Sequence, residues 1–580
     1  ILNRGEVLGN TATASTFKGK GTLKVTGTLT TFNGKFDNFG TLQIGGTKQN
    51  VQVTYGGLFD DAVLNKLQFS GTNEAKIILE KGVLKVKTLK FDDNSKGVID
   101  IAAGGTLALD ASGKDDVTDI ISGTGSIGGD GTLQLVDNTS VNFGGNNLIN
   151  RLGTLEIGTG TATISGNIGI GAIKFGTTEG GTLSIAAGKT LNLQEITTAG
   201  KNVVTGGGTL ALTKASTFGG QVNELGALDF SGNVIFDYGQ TSSIGTVKGT
   251  NADLIINNGD LTVTNGLTVT GGKVSGSGTL NLTNGGSMTA SGLNVLNVGG
   301  TLQMAGDSTV TNLSLSGSAE IIMGNTDSLN VSGALSTVAG AKLTGGELIL
   351  AGTGTFVQDA VQVRTLTVQN GAKATFAGDN RLANLTMNGT AAVVVNGEAT
   401  LTLAQDAVGA DGSSLFTGAG TLALDKSGLE MKARLSGLGK LSVLQSATLN
   451  NAANVGTVEI ANGATLIQNA AMTAGDVSFG TNSGLTLNDT LTVTRNIDVG
   501  SNKLSGSGML ILSGGANGTF ATGTSFQNGH LIVGSGTAKF TGNTTMGAVG
   551  FSGNGGILNI ESGNTLSLAS ITTKASNTVT

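Results

Sequence analysis

The 580-residue chain contains no cysteine, no proline and no tryptophan, and a single histidine, His530. Without cysteine there is no disulfide framework, no thiolate metal ligand and no thiol nucleophile. The same absence suits a chain that crosses an oxidising periplasm unfolded, and it suits equally a composition in which cysteine is simply scarce. A lone histidine confines any Ser-His-Asp or histidine-ligated metal site to His530. Zero proline suits segments that are nearly all strands paired on both edges, where a residue lacking an N–H has few places to go. Charged residues make up only 12% of the chain, the net charge is −6, and lysine and arginine are scattered, so nothing recommends nucleic acid as a partner. No apolar run approaches the roughly 20 residues of a transmembrane helix. The abrupt opening, Ile1-Leu2-Asn3-Arg4, lacks a signal-peptide pattern, and Ser576-Asn577-Thr578-Val579-Thr580 reads as the middle of a repeat. Both ends predict an interior segment of a longer protein.

What is present is glycine, 98 residues of it, set among short alternating runs. Thr22-Leu23-Lys24-Val25-Thr26, Leu261-Thr262-Val263-Thr264 and Leu267-Thr268-Val269-Thr270 alternate with a period of two, which predicts strands with one buried face. Helical spacing is scarce. There is no glycine at every third position, which excludes collagen, and the recurring β-branched runs exclude a flexible linker.

One signature returns along the chain: a Gly-x-Gly turn followed by Thr-Leu-x-Leu or a close variant. It stands at Gly19 to Leu23, Gly129 to Leu133, Gly206 to Leu210, Gly276 to Leu280, Gly418 to Leu422 and Gly506 to Leu510, with a degenerate copy at Gly345 to Leu348. A second Leu-x-apolar strand follows each of the later copies. The leucine pairs are 133 and 155, 210 and 228, 280 and 302, 348 and 366, 422 and 441, and 510 and 531, spaced 18 to 22 residues apart. A period near ~20 residues matches one turn of a β-helix and is far too short for a sandwich domain. A duplication of just under 40 residues runs from Gly160 to Thr198 and again from Gly536 to Thr573, at an offset of 376 that drops to 375 after a one-residue gap. The fold class predicted is therefore all-β: a right-handed parallel β-helix, or β-solenoid, with rungs of about 20 residues. Residues 1–580 are read as one continuous solenoid of about 25–30 rungs, with insertions near 48–61 and 110–121. Leucine, isoleucine, valine, alanine and phenylalanine would face inward, threonine, serine, asparagine and lysine outward, and glycine and asparagine would supply the corners.

Phenylalanine is followed two residues later by glycine at Phe32, Phe69, Phe143, Phe218, Phe230, Phe376, Phe540 and Phe551. This reads as core filling at the end of a strand. An exposed aromatic ladder for glycans is the alternative, weakened because tyrosine occurs only at Tyr55 and Tyr238.

The catalytic inventory is thin. His530, in Asn528-Gly529-His530-Leu531-Ile532, reads as a solvated residue of a turn leading into a strand. The densest carboxylates are Asp92-Asp93 and the group Asp110, Asp115, Asp116 and Asp119, with Asp60-Asp61 behind them. Solvated loops, Ca²⁺ ligation through oxygen, and paired-carboxylate chemistry are the three readings of these residues, and the first is preferred. Gly128-Gly129-Asp130-Gly131 is an isolated fragment of a calcium repeat, and Gly188-Lys189-Thr190 lacks the earlier glycine of a phosphate loop, since Leu183 stands there. No catalytic, metal or cofactor-binding residue is assigned, no cofactor is expected, and the chain reads as a non-enzyme.

The signature is clearest in Gly276-Ser277-Gly278-Thr279-Leu280-Asn281-Leu282 and Gly418-Ala419-Gly420-Thr421-Leu422-Ala423-Leu424. With its Thr/Ser-rich turns and Asn-Gly corners, it resembles the passenger repeats of Gram-negative autotransporters, and most of all rickettsial surface antigens of the outer membrane protein B type. The resemblance implies a passenger secreted through a C-terminal outer-membrane barrel, which these residues do not contain, and placed on the bacterial cell surface. The function expected is a surface coat, S-layer-like or filament-forming, with a host-cell adhesin on a β-helical stalk as the alternative. The partners expected are other copies, laterally or end to end, and a host-cell receptor in the adhesin case. The stretches 48–61 and 110–121, the least repetitive, are where receptor contacts would be sought first. A β-helical carbohydrate-active enzyme is the third reading, and it lacks converging carboxylates with basic or aromatic partners.

Overall fold

A four-residue strand such as Thr-Leu-x-Leu has one oily face and no hydrogen-bond partner within its own rung. It becomes stable only when another rung lies against it. The computed structural model describes residues 7–8, 16–27, 29–47, 49–56, 62–112, 120–144, 147–409, 412–574 and 576–580. No described residue is helical. The strands pair in parallel and stack into a β-solenoid of about 27 turns with rungs of roughly 20 residues. The chain forms two compact units, Ile1–Asn294 and Val295–Thr580.

In the first unit the core is a set of vertical ladders. Leu84, Leu107, Leu133, Leu155, Ile173 and Ile196 are register partners on successive rungs, all buried. Further along, Leu191, Leu210, Leu228, Val247 and Leu267 form another. In the second unit Leu401, Leu422, Leu441, Val458, Val477 and Ile497 do the same. The leucine pairs 133/155, 210/228, 348/366, 422/441 and 510/531 are true register partners. The sixth, Leu280 and Leu302, falls in different units, and Leu302 pairs instead with Ile321.

Phenylalanines stack between adjacent rungs as doublets. Ring centroids lie 5.0 Å apart in Phe69/Phe91 and in Phe218/Phe236, 5.3 Å in Phe356/Phe376 and 5.1 Å in Phe520/Phe540. The eight phenylalanines named above for the Phe-x-Gly pattern are buried, as core filling requires.

The Gly-x-Gly signature marks the place where a rung turns against the one before it. At Gly418 φ is +106°, and a Cβ there would fall on the carbonyl oxygen of Val395 in the preceding rung. That same oxygen accepts a hydrogen bond from the N–H of Gly420 at 2.9 Å. Gly506 and Gly508 repeat the arrangement on Leu487, with φ +103° and a 2.8 Å bond. The first glycine is thus required by both conformation and space, and the second brings the donor to the acceptor.

The other corners are pinned by Asn and Asp side chains. The Oδ1 of Asn462 accepts from Thr481 N at 2.7 Å, that of Asp379 from Thr400 N at 2.7 Å, and that of Asn543 from Thr565 N at 2.8 Å. Asn488 donates to Asn469 and Asn469 to Asn450, amide to amide, in a short ladder with both links at 2.8 Å. Asn38, Asn94, Asn138, Asn251 and Asn482 hold φ between 49° and 64°, the left-handed region that asparagine tolerates. Glycine and asparagine therefore supply the corners, as the sequence predicts.

Two glycine substitutions separate these roles. Gly463 has φ +73° and open space around its Cβ position. Gly463→Ala is expected to cost about 1 kcal/mol. Gly418→Ala, which adds a backbone clash to the same conformational cost, should cost on the order of 2–4 kcal/mol. Native-state hydrogen exchange of the flanking rungs measures both, and equal losses would contradict the crossing role of Gly418.

Candidate functional site

His530 lies inside the strand Ser525–Val533, where its register partners are Met509 and Ala548. The sequence places it in a turn. That turn is the register shift between Phe526 and His530, and His530 is the first paired residue after it, a turn leading into a strand. The imidazole is exposed on the outer face. Among the described residues, no group of three or more His, Asp or Glu side chains is close enough to hold a metal ion.

The acidic candidates are dispersed. Asp92 accepts from Gln68 Nε2 at 2.9 and 2.8 Å and meets Lys90 at 3.3 Å, while Asp93 is exposed. Asp60, Asp61, Asp115, Asp116 and Asp119 lie outside the described residues, as does much of the two stretches 48–61 and 110–121. Among the described residues Asp110 is the one buried carboxylate, 6% exposed. Its Oδ1 accepts from Ser112 N at 2.8 Å, and Lys85 Nζ stands 3.7 Å from Oδ2. Burial by itself pushes the Asp110 carboxyl up. Hydrogen bonds from the Ser112 side chain and backbone, with the ammonium groups of Lys85 and Lys87, outweigh burial and hold it below the usual carboxylate range.

The fragment Gly128-Gly129-Asp130-Gly131 lies within the strand Gly125–Leu135, with Asp130 exposed. Gly188-Lys189-Thr190 is a tight turn in which Lys189 N donates to Ala186 O at 3.1 Å. Tyr55 is buried beside Phe32 and Phe36, and Tyr238 is half-buried on the strand Val234–Thr250.

Sequence reasoning missed the surface grooves. The larger, about 540 Å³, crosses successive rungs of the first unit. Asp130, Asn150, Arg151, Asn167, Asn192 and Gln194 supply its polar groups. Arg151 holds φ +55°, rare for a long side chain, and Asn167 is already committed to Thr190 N at 2.8 Å. Amides, the Asp130 carboxylate and the Arg151 guanidinium offer hydrogen bonds to a polar ligand, with neither a histidine nor a second carboxylate among the lining residues. The groove is assembled from residues about 20 apart that no linear motif connects. A second shallow groove, about 400 Å³, lies in the other unit at Arg434, Asn454, Thr473 and Thr492.

Asp110 gives a pH-dependent test. Its carboxyl titrates lower folded than unfolded, so its stabilisation is complete above the unfolded value of about 3.9 and is lost as pH falls through the folded value. Asp110→Asn should lower the opening free energy of its rung by on the order of 1–2 kcal/mol at neutral pH, and by progressively less below about pH 4. Hydrogen exchange corrected for intrinsic rates measures the difference, and a pH-independent loss would refute the assignment. In comparisons with known proteins, no family model, curated protein or solved structure matches this chain.

Proposed function

We propose that this chain is a non-enzymatic structural protein of a bacterial cell surface, an autotransporter-type passenger that builds a coat or filament by self-association. The observation that carries this reading is the uninterrupted use of one structural unit. Rung after rung repeats the same inward ladder, the same crossings and the same corner acceptors. Outward positions are occupied mainly by threonine, serine and asparagine. Such a surface presents many equivalent, weakly charged sites, which suits repetition of one contact better than recognition of one small ligand. Secretion through an outer-membrane barrel rests on the resemblance of the repeats.

The adhesin reading draws on the 540 Å³ amide-lined groove of the first unit, whose polar groups suit a hydroxyl-rich ligand. The two readings diverge in a simple experiment. The purified chain, imaged by electron microscopy without any ligand, is expected to form sheets or filaments that grow with concentration. Single particles at roughly 50 µM, above the weakest affinities expected of a standard-size interface, would refute the coat reading. Saturable binding of those single particles to host cells, lost on Arg151→Ala, would favour the adhesin.

A further inference from the structure

One outer face of the second unit is depleted of charge over a long distance. Two adjacent outward columns run through thirteen successive rungs. The first leads from Ala334 to Ser570 and the second from Ser336 to Thr572. None of the acidic residues of the unit falls in either column. The only basic or titratable groups are Lys373, Arg434 and His530, all in the first column. A neighbouring outward face differs: it carries Lys440, Glu459, Asp476 and Asp498, with ion pairs between Lys440 and Glu459 and between Arg495 and Asp476.

The depleted face also breaks the rule of polar residues outside. Val394 and Leu415 point outward on the fourth and fifth rungs, and Met509, Ile511 and Ile532 on the tenth and eleventh, all half-buried. These two apolar groups lie symmetrically about a point between the rungs of Asn454 and Thr473, half a rung from the middle of the face.

Resting on the self-association proposed above, we infer that this face is an isologous contact between two copies running antiparallel. A two-fold axis lying in the contact plane between the rungs of Asn454 and Thr473, along the strand direction, carries each column onto itself and reverses the order of rungs, so that the second to thirteenth rungs pair. Leu415 then faces Met509 of the second copy, Val394 faces Ile532, and Thr417 faces Ile511. Near the axis Ala452 faces Ala471, two small residues that permit close approach, while the shallow groove at Asn454 and Thr473 takes polar groups and water. Lys373 meets Ala548 and Arg434 meets Thr490, so no like charges are brought together. With rungs ~4.8 Å apart and four-residue strands, the face measures roughly 60 Å by 13 Å. That is on the order of 750 Å² per copy, close to the ~800 Å² of a standard interface.

The absence of cysteine makes the geometry directly testable on the full chain. Mixing Leu415→Cys protein with Met509→Cys protein under mild oxidation should give a disulfide-linked pair, which neither variant gives alone. Sedimentation should show that Ile532→Asp weakens association about thirtyfold or more, because it buries an unpaired charge. Thr519→Asp, on another outward column, should leave association unchanged, with circular dichroism confirming that both variants fold. Self-linking of Leu415→Cys alone would overturn the antiparallel arrangement. Assembly that survives Ile532→Asp, with no mixed disulfide, would overturn the face and leave the coat reading standing. A chain that stays monomeric at roughly 50 µM would overturn both.

Discussion

Backbone N–H groups of each rung donate alternately to carbonyl oxygens of the rung before it and of the rung after it, and that exchange must recur at nearly the same point every ~20 residues. Lys440 N bonds to Gly420 O at 3.0 Å and Gly439 N to Gly418 O at 2.9 Å. The acceptors of one crossing are thus the backbone of the previous crossing. A rung with one residue too many must absorb it locally, because a slip would turn every side chain beyond it to the wrong face. The register shifts recorded at Ile101/Gly104, Gly128/Gly129 and Phe526/His530 are such absorptions, placed where the chain bends and leaving the inward ladders in phase on both sides.

Because contacts reach mainly to the neighbouring rungs, stability is close to a sum of local terms. The aromatic doublets punctuate this sum. Each spans two adjacent rungs and buries two large rings, so the rungs they join are tied more tightly than those joined by smaller side chains, such as the rungs of Val455 and Ala474. Local opening should accordingly be uneven along each unit, concentrated between doublets.

Much of this was legible in the residues. Alternation in Thr-Leu-x-Leu marked the strands, the near-constant leucine spacing marked the rungs, and both survive as observed register. The meaning of Gly-x-Gly was not legible, because it depends on a carbonyl one rung away rather than on a local turn type. His530 was read correctly for a local reason: Asn528-Gly529 has the composition of a turn, it falls in the register shift between Phe526 and His530, and pairing resumes at His530. The grooves and the charge-depleted face were invisible for a simpler one. They are made of residues aligned across rungs, and with rung lengths varying by several residues no fixed period collects them.

The corner acceptors carry a consequence for how such a chain can vary. Asn462 and Asp379 perform the same task, offering one oxygen to the next rung's N–H, and only Oδ1 is used. Asn233 hands over to Asp253 in just this way, and Asp253 then serves Lys273. Amide and carboxylate are interchangeable there as far as the fold is concerned. Lineages can therefore recolour the outer electrostatics one corner at a time while the winding beneath stays as it was.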